Sequence, residues 1–288
     1  MPASDIPLES TASAWRLFVG GALPLAPGLV AELPEQAVRH AQVRRVQPGD
    51  LLRLFDGQGC DWPARVLDVG RRNVRVEVGE PEPVALELPV QVTLALVVPA
   101  NERMDSLVEK ATELGVARIQ PLMSDRSVLR LAAERALRRQ AHWQAVAVAA
   151  CEQCGRARVP EVEPVLPLLS WLRAQVVPTA PSAPTVPAAA SPTTPPGGAA
   201  AARWLLSLHA QAQPLAAQST RALRSIITLS GPEGGLSPDE EQAALAAGFV
   251  AINLGPRVLR ADTAPLAVLA WLSLMARGSA PGHETPPR

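Results

Sequence analysis

The rhythm of apolar and polar positions changes once along this chain, near residue 85. Before that point the apolar runs are short and turn residues are frequent. WRLFVGG (15–21) opens apolar and stops at a glycine pair. DLLRLFDGQG (50–59) runs into an Asp-Gly turn and DWPARVLDVG (61–70) follows it, a hairpin signal. In NVRVEVGE (73–80) Val74, Val76 and Val78 face one way and Arg75 and Glu77 the other, the period of a half-buried strand. Several such segments within about 70 residues predict a small barrel or sandwich. EPEPVALELP (80–89) reads as a connector.

From Val92 the pattern is that of an α/β domain. VTLALVV (92–98) is a continuous apolar run of the kind buried in a parallel sheet. Met104, Leu107, Val108, Ala111 and Leu114 follow at helical spacing, with Gly115 as the stop. RIQPLM (118–123) is a strand, and Leu131 to Ala150 a long helix rich in Ala and Arg. WLLSLH (204–209) and SIITLSG (225–231) are strands, SPDEEQAALAAG (237–248) a helix and VAINLG (250–255) a strand. A last helix begins near Asp262. Alternating strands and helices predict a parallel sheet with covering helices. Two domains are expected, residues 1–85 and 86–288. Residues 174–202 carry no charge, and seven Pro lie between Pro178 and Pro196; this stretch reads as a flexible surface insertion.

Composition narrows the classes. Lys+Arg and Asp+Glu are 27 each, so global charge says nothing about a polyanionic partner. Of the basic residues 26 are Arg and only Lys110 is Lys, as codon bias in a GC-rich genome would produce. No apolar run reaches the roughly 18 residues of a membrane span; Ala264 to Ala276 reads as a buried helix. The opening MPASDIPLES has neither a basic n-region nor an apolar h-region, so no signal peptide is expected. Three cysteines suit a reducing compartment, and a cytoplasmic location is expected. Cys151 and Cys154 form a C-x-x-C without the second ligand pair zinc would need, at a helix end rather than the helix start of a thioredoxin-like site. Phosphate loops, G-x-G-x-x-G, H-E-x-x-H and G-x-S-x-G are absent.

The last third carries the chemical signal. Ser230-Gly231-Pro232-Glu233-Gly234-Gly235 follows a strand directly, a tight turn with bare backbone that a ligand can approach. Ser237-Pro238-Asp239-Glu240 is a capping box with Pro at the first helical position. VAINL ends in a second Gly-Pro loop, Gly255 to Ala264, where Asp262 or Thr263 can cap the next helix. WLLSLH ends at His209. Three strands thus deliver loops to one sheet edge, where open α/β sheets bind ligands.

Three blocks in this order, LHAQA (208–212), LSGPEGGLSPDE (229–240) and INLGPRVLRADTA (252–264), resemble the knotted SPOUT methyltransferases. More narrowly they resemble the RsmE-type family, which methylates N3 of a uridine in small-subunit ribosomal RNA. RMDSLVEKATELGVARIQPLMSDRSV (103–128) and WQAVAVAACEQCGRARVPEV (143–162) are similar to further blocks of that family. RHAQVRRVQPGD (39–50) with LRLFDGQG (52–59) is similar to its PUA-like RNA-binding barrel. The likeness spans roughly residues 15–275 apart from the Pro-rich stretch. It departs at Ala261-Asp262-Thr263, where the family commonly has Thr-Glu-Thr, and at Ala210, where it usually has Pro.

The resemblance implies an N-terminal PUA-like β-barrel and a C-terminal SPOUT α/β domain closed by a trefoil knot. It also implies S-adenosylmethionine as cofactor, a homodimer whose sites are completed by the partner, and no metal. Leu208, His209, Gly231, Gly235, Leu254, Gly255 and Leu259 are the expected cofactor contacts. Arg260 and Arg257 are the candidates to stabilise charge on the uracil oxygens. Glu233 is the candidate to accept the N3 proton or hold the substrate. Residues 103–158 hold ten basic and six acidic residues, and RNA contacts are expected there and in the barrel, from Arg39, His40, Arg44, Arg103, Arg126, Arg156 and Arg158. The partner would be ribosomal RNA or the assembled small subunit. The alternatives are a non-catalytic RNA-binding assembly factor and a SPOUT enzyme acting on another nucleotide.

Overall fold

The computed structural model describes residues 15–100, 103–127, 133–175 and 200–277. The chain forms two compact units. One takes the described residues up to Glu87 together with Ala145–Val159; the other takes Leu88–Gln144 and the described residues from Pro160 onward.

In the first unit the strands are β1 (Trp15–Phe18), β2 (Val30–Glu32), β3 (Leu51–Phe55), β4 (Cys60–Val69), β5 (Val74–Val78) and β6 (Glu82–Pro83). The sheet order is β1-β3-β4-β5-β2, with β6 on β4. β1 and β3 run parallel and the others antiparallel. The hairpin turn at 56–59 lies where Asp-Gly predicted it, with Gly57 and Gly59 at positive φ. Val74, Val76 and Val78 are all buried, as their alternation requires. A one-residue slip would expose all three at about 1.5–3 kcal/mol each, which pins the register. The all-β reading of this region missed α1 (Glu35–Val43), whose Ala37, Val38 and Ala41 close the core against Leu17, Leu52, Leu54 and Val66. The connector also holds the short β6.

The second unit is a wholly parallel sheet. Its strands are β7 (Gln91–Val97), β8 (Arg118–Met123), β9 (Glu161–Val162), β10 (Leu166–Pro167), β11 (Ala200–Leu206), β12 (Gln213–Pro214), β13 (Leu223–Ser230) and β14 (Val250–Asn253). The order is β10-β8-β7-β13-β11-β14-β12, with β9 on β8. Its helices are α2 (Arg103–Glu113), α4 (Leu168–Gln175), α5 (Pro238–Ala246) and α6 (Thr263–Arg277), while α3 (Ala133–Cys154) runs on through the C-x-x-C. Ala95, Val97, Leu205 and Leu229 face α4 and α5. On the other face α6 packs on α2, with Trp271 edge-on to Trp204 at 6.3 Å. α6 is not buried all round: Leu274 and Met275 are exposed. The uncharged stretch begins and ends in regular structure, α4 running to Gln175 and β11 starting at Ala200; its interior, 176–199, lies outside the described residues.

One feature of the order matters for function. β11 and β12 are consecutive in the chain, joined by residues 207–212, yet β14 is inserted between them. Sequence periodicity carries no such information.

Candidate active site

Register brings the strand ends together. Leu205 pairs with Leu229, Leu206 with Ile252 and Ser230 with Leu96, so β7, β13, β11 and β14 all deliver their following loops to the carboxyl edge. β11 ends at Leu206, three residues before the expected His209. After one more ladder bond, Ser207 N–H to Ile252 O, the Ser207 hydroxyl accepts from the His209 N–H and turns the chain away.

The loops after β11 and β14 flank an open cleft of about 480 Å³ lined by Leu208, His209, Ala210, Asn253, Gly255, Pro256, Arg257 and Val258. That size is in the range of small-molecule sites. Leu208 and Val258 expose apolar side chains (73% and 78%) where a soluble surface would ordinarily be polar. Gly255 has φ +105°, a conformation open to glycine, and a Cβ there would meet nothing within 4 Å, so its bare backbone faces open space. Apolar walls beside exposed main chain suit a flat, polar-edged group such as an adenosyl moiety.

Two residues that sequence reading passed over brace this cleft. Asn253 donates from Nδ2 to the Ala212 carbonyl (2.7 Å) and accepts from Gly255 N–H (3.3 Å), tying the two loops together. Glu241 accepts from the Ser207 hydroxyl (3.3 Å) and lies 3.0 Å from His209 Nε2, so α5 holds the β11 loop. An Asn ending a strand before Gly-Pro was the available signal for the first. Nothing local marks the second.

The Gly-rich turn is held independently. Glu233 Oε1 accepts from Ala100 N–H in the loop after β7 (3.2 Å), and Arg126 donates to the Gly234 carbonyl (2.9 Å). Gly231 is closely packed, a Cβ there sitting 3.1 Å from the backbone N of Leu236; Gly235 has φ +70°. Gly231, Gly235, Leu254 and Leu259 are not among the residues lining the cleft, whereas Leu208, His209, Gly255 and Arg257 are. The capping box forms in both directions, Ser237 Oγ with Glu240 N–H and Glu240 with Ser237 N–H. Buried Glu240 also accepts from Asp125 N–H (2.9 Å), which fixes the turn after β8.

Arg257 and Arg260 are exposed and have no ion pair or side-chain hydrogen bond among the described residues. Asp262 serves Arg103 instead, at 3.9 Å, and does not cap α6: the Thr263 and Ala264 N–H groups bond to the Arg260 carbonyl.

The first-unit candidates divide. Arg39 is exposed beside Glu35 (2.5 Å), Arg44 stacks over the Trp15 ring at 4.1 Å, and Arg158 is exposed against Gly59. His40 lies 3.2 Å from Glu152, which also accepts from Phe18 N–H. Arg156 corrects the expectation. It is 3% exposed and its guanidinium forks onto Glu87, so that arginine is a structural ion pair and its charge does not face solvent. Burial pushes the Cys151 thiol up to about 12, which leaves it protonated and unreactive at neutral pH.

Comparison with known proteins adds the following. A family model described as an RNA methyltransferase domain matches residues 86–273, and one described as an RNA methyltransferase PUA domain matches residues 33–79. The ribosomal RNA small subunit methyltransferase E of Mycobacterium bovis is 31% identical over 263 residues, 90% of this chain and 91% of that protein. Its counterpart in Synechocystis is 29% identical over 282 residues, 96% of this chain and 82% of that protein. The crystal structure of a ribosomal RNA small subunit methyltransferase E from Neisseria gonorrhoeae bound to S-adenosyl methionine aligns with a TM-score of 0.76 at 33% identity, covering 91% of this chain and 98% of that one.

Proposed function

The chain belongs to the RNA methyltransferase family that carries a PUA domain, and from that premise we propose that it transfers the methyl group of S-adenosylmethionine to N3 of a uridine in small-subunit (16S) ribosomal RNA. The observation that carries the reading is the cleft between the loops after β11 and β14, apolar-walled and bare-backboned, with two arginines on the second loop that are unpaired among the described residues.

When bound, S-adenosylmethionine supplies an electrophilic methyl group on a sulfonium centre. The chain's task lies with the acceptor, because uracil N3 is a poor nucleophile until it loses its proton. Leu208, Gly255 and Val258 hold the cofactor through apolar contact and backbone, and His209, braced by Glu241, borders it. Arg260 and Arg257 stabilise the negative charge that spreads onto the ring oxygens as the proton leaves. Glu233 uses Oε1 to hold the loop after β7; Oε2, without a partner among the described residues, accepts the N3 proton. Arg257, Arg260 and Glu233 would also hold the uracil so that N3 lies in line with the methyl group at near-attack distance.

The target uridine is unpaired or flipped when it reacts. The active form is a homodimer in the cytoplasm, its sites completed across the two-fold; exposed Leu274 and Met275 on α6 support a partner there. Insertion of β14 between β11 and β12 supports threading of the C-terminal segment into a trefoil knot. The test is a methyl-transfer assay on small subunits lacking the modification, with the product mapped by mass. One methyl at a uridine N3 is expected. No transfer, together with no heat of S-adenosylmethionine binding, would instead leave a non-catalytic RNA-binding protein.

A further inference from the structure

A second indentation of the α/β unit, about 440 Å³, is lined by Asp105, Arg135, Arg138, Arg139 and His142. The four basic residues fall at i, i+3, i+4 and i+7 on α3, which places them in one row along a helix face. Two are compensated: Arg138 by Glu134 at 2.5 Å, and His142 by Asp105 at 2.6 Å. Arg135 and Arg139 have no ion pair or hydrogen bond among the described residues. Placing cations side by side costs free energy unless something anionic answers them.

The row runs along a helix rather than closing round a point, which suits an extended polyanion better than a single small anion. The first turn of α2 stands between it and the candidate active site, with a contact on either side. Arg103, which opens α2, reaches Asp262 on the loop that bears Arg257 and Arg260; Asp105, two residues on, holds His142. We propose that this face of α3 is a phosphate-binding track on which Arg135 and Arg139 hold the backbone of the ribosomal RNA flanking the target nucleotide. The inference rests on the proposed function. The two guanidiniums, four residues apart with Cβ atoms about 5–6 Å from each other, reach phosphates of one strand.

The experiment compares full-length wild type with Arg135→Ala/Arg139→Ala and Arg135→Lys/Arg139→Lys, using small subunits that lack the modification. For the alanine pair, affinity falls about tenfold at moderate salt and the slope of log K against log salt becomes shallower by about 1.5–2. KM for the subunit rises while kcat is retained, S-adenosylmethionine affinity stays within twofold, and the lysine pair keeps most of the wild-type slope. Wild-type protein that methylates subunits beside an alanine pair of unchanged affinity and slope overturns this inference alone. So does an alanine pair whose change is in oligomeric mass and not in RNA affinity, which would make the face a contact between copies. Wild-type protein that neither binds nor methylates subunits overturns the functional reading and this inference with it.

Discussion

Arg260 and Asp262 sit two residues apart in a loop where a local salt bridge would be the ordinary arrangement, yet Asp262 turns to Arg103 and leaves Arg260 unpaired among the described residues. An unpaired arginine is available to charge that develops on a substrate. Arg260→Ala is expected to lower methyl transfer roughly 10²- to 10³-fold, the cost of losing one transition-state donor, while calorimetry still shows S-adenosylmethionine binding. Near-normal turnover would remove Arg260 from the mechanism. Cys151 shows the opposite use of a reactive side chain. Its thiol stays protonated up to about pH 12 when folded, against an ordinary value of 9.0 when unfolded. The folded state therefore binds the extra proton between those values, and that contribution to stability is lost as pH rises through the window. Denaturation curves of Cys151→Ser should fall less steeply between pH 9 and 12 than those of wild type, and alkylation of native protein at pH 8 should spare Cys151.

At the scale of elements, α5 is where local sequence and tertiary role coincide. Ser-Pro-Asp-Glu specifies the cap, and the same Glu240 then fixes the turn after β8 from a buried position. Ser237→Ala should cost about 1 kcal/mol, as loss of an N-cap does. Glu240→Ala should cost about 2–3 kcal/mol, because it strands the backbone N–H groups of Ser237 and Asp125. Urea titration measures both, and equal losses would show that Glu240 acts only as a cap. α1 was hidden for a related reason. Its apolar face, Ala37, Val38 and Ala41, is as well segregated as that of α2, but the helix is short, starts after Pro34 without a side-chain cap and lies among segments that read as strands.

For the whole molecule, the exposed end of α6 and the insertion of β14 between β11 and β12 are the features no segment displays by itself. Leu274 and Met275 lie exposed side by side near the end of α6, and the proposed homodimer would cover them. On the proposed homodimer, Leu274→Glu with Met275→Glu should shift the sedimenting species from dimer to monomer and abolish methyl transfer with the fold intact. A double variant that stays dimeric and active would place the interface elsewhere.

The apolar pattern was enough for β5, β7, β8 and α2, because it is written in neighbouring residues: β5 and α2 bury one face, and β7 and β8 are buried on both. The turn chemistry at Asp56-Gly57 and the cap at Ser237 were legible for the same local reason. The loops that carry Gly231, Glu233, Gly255 and Arg260 were legible as chemistry. Their delivery to one edge followed from the alternation of strand and helix; which loops are neighbours there did not, since that depends on the strand order. The burial of Arg156 on Glu87, the bracing of His209 by Glu241 and the seating of β14 between two earlier strands each join residues far apart in the chain. Pairing of that kind is set by the packing of whole elements, and only the assembled sheet decides it.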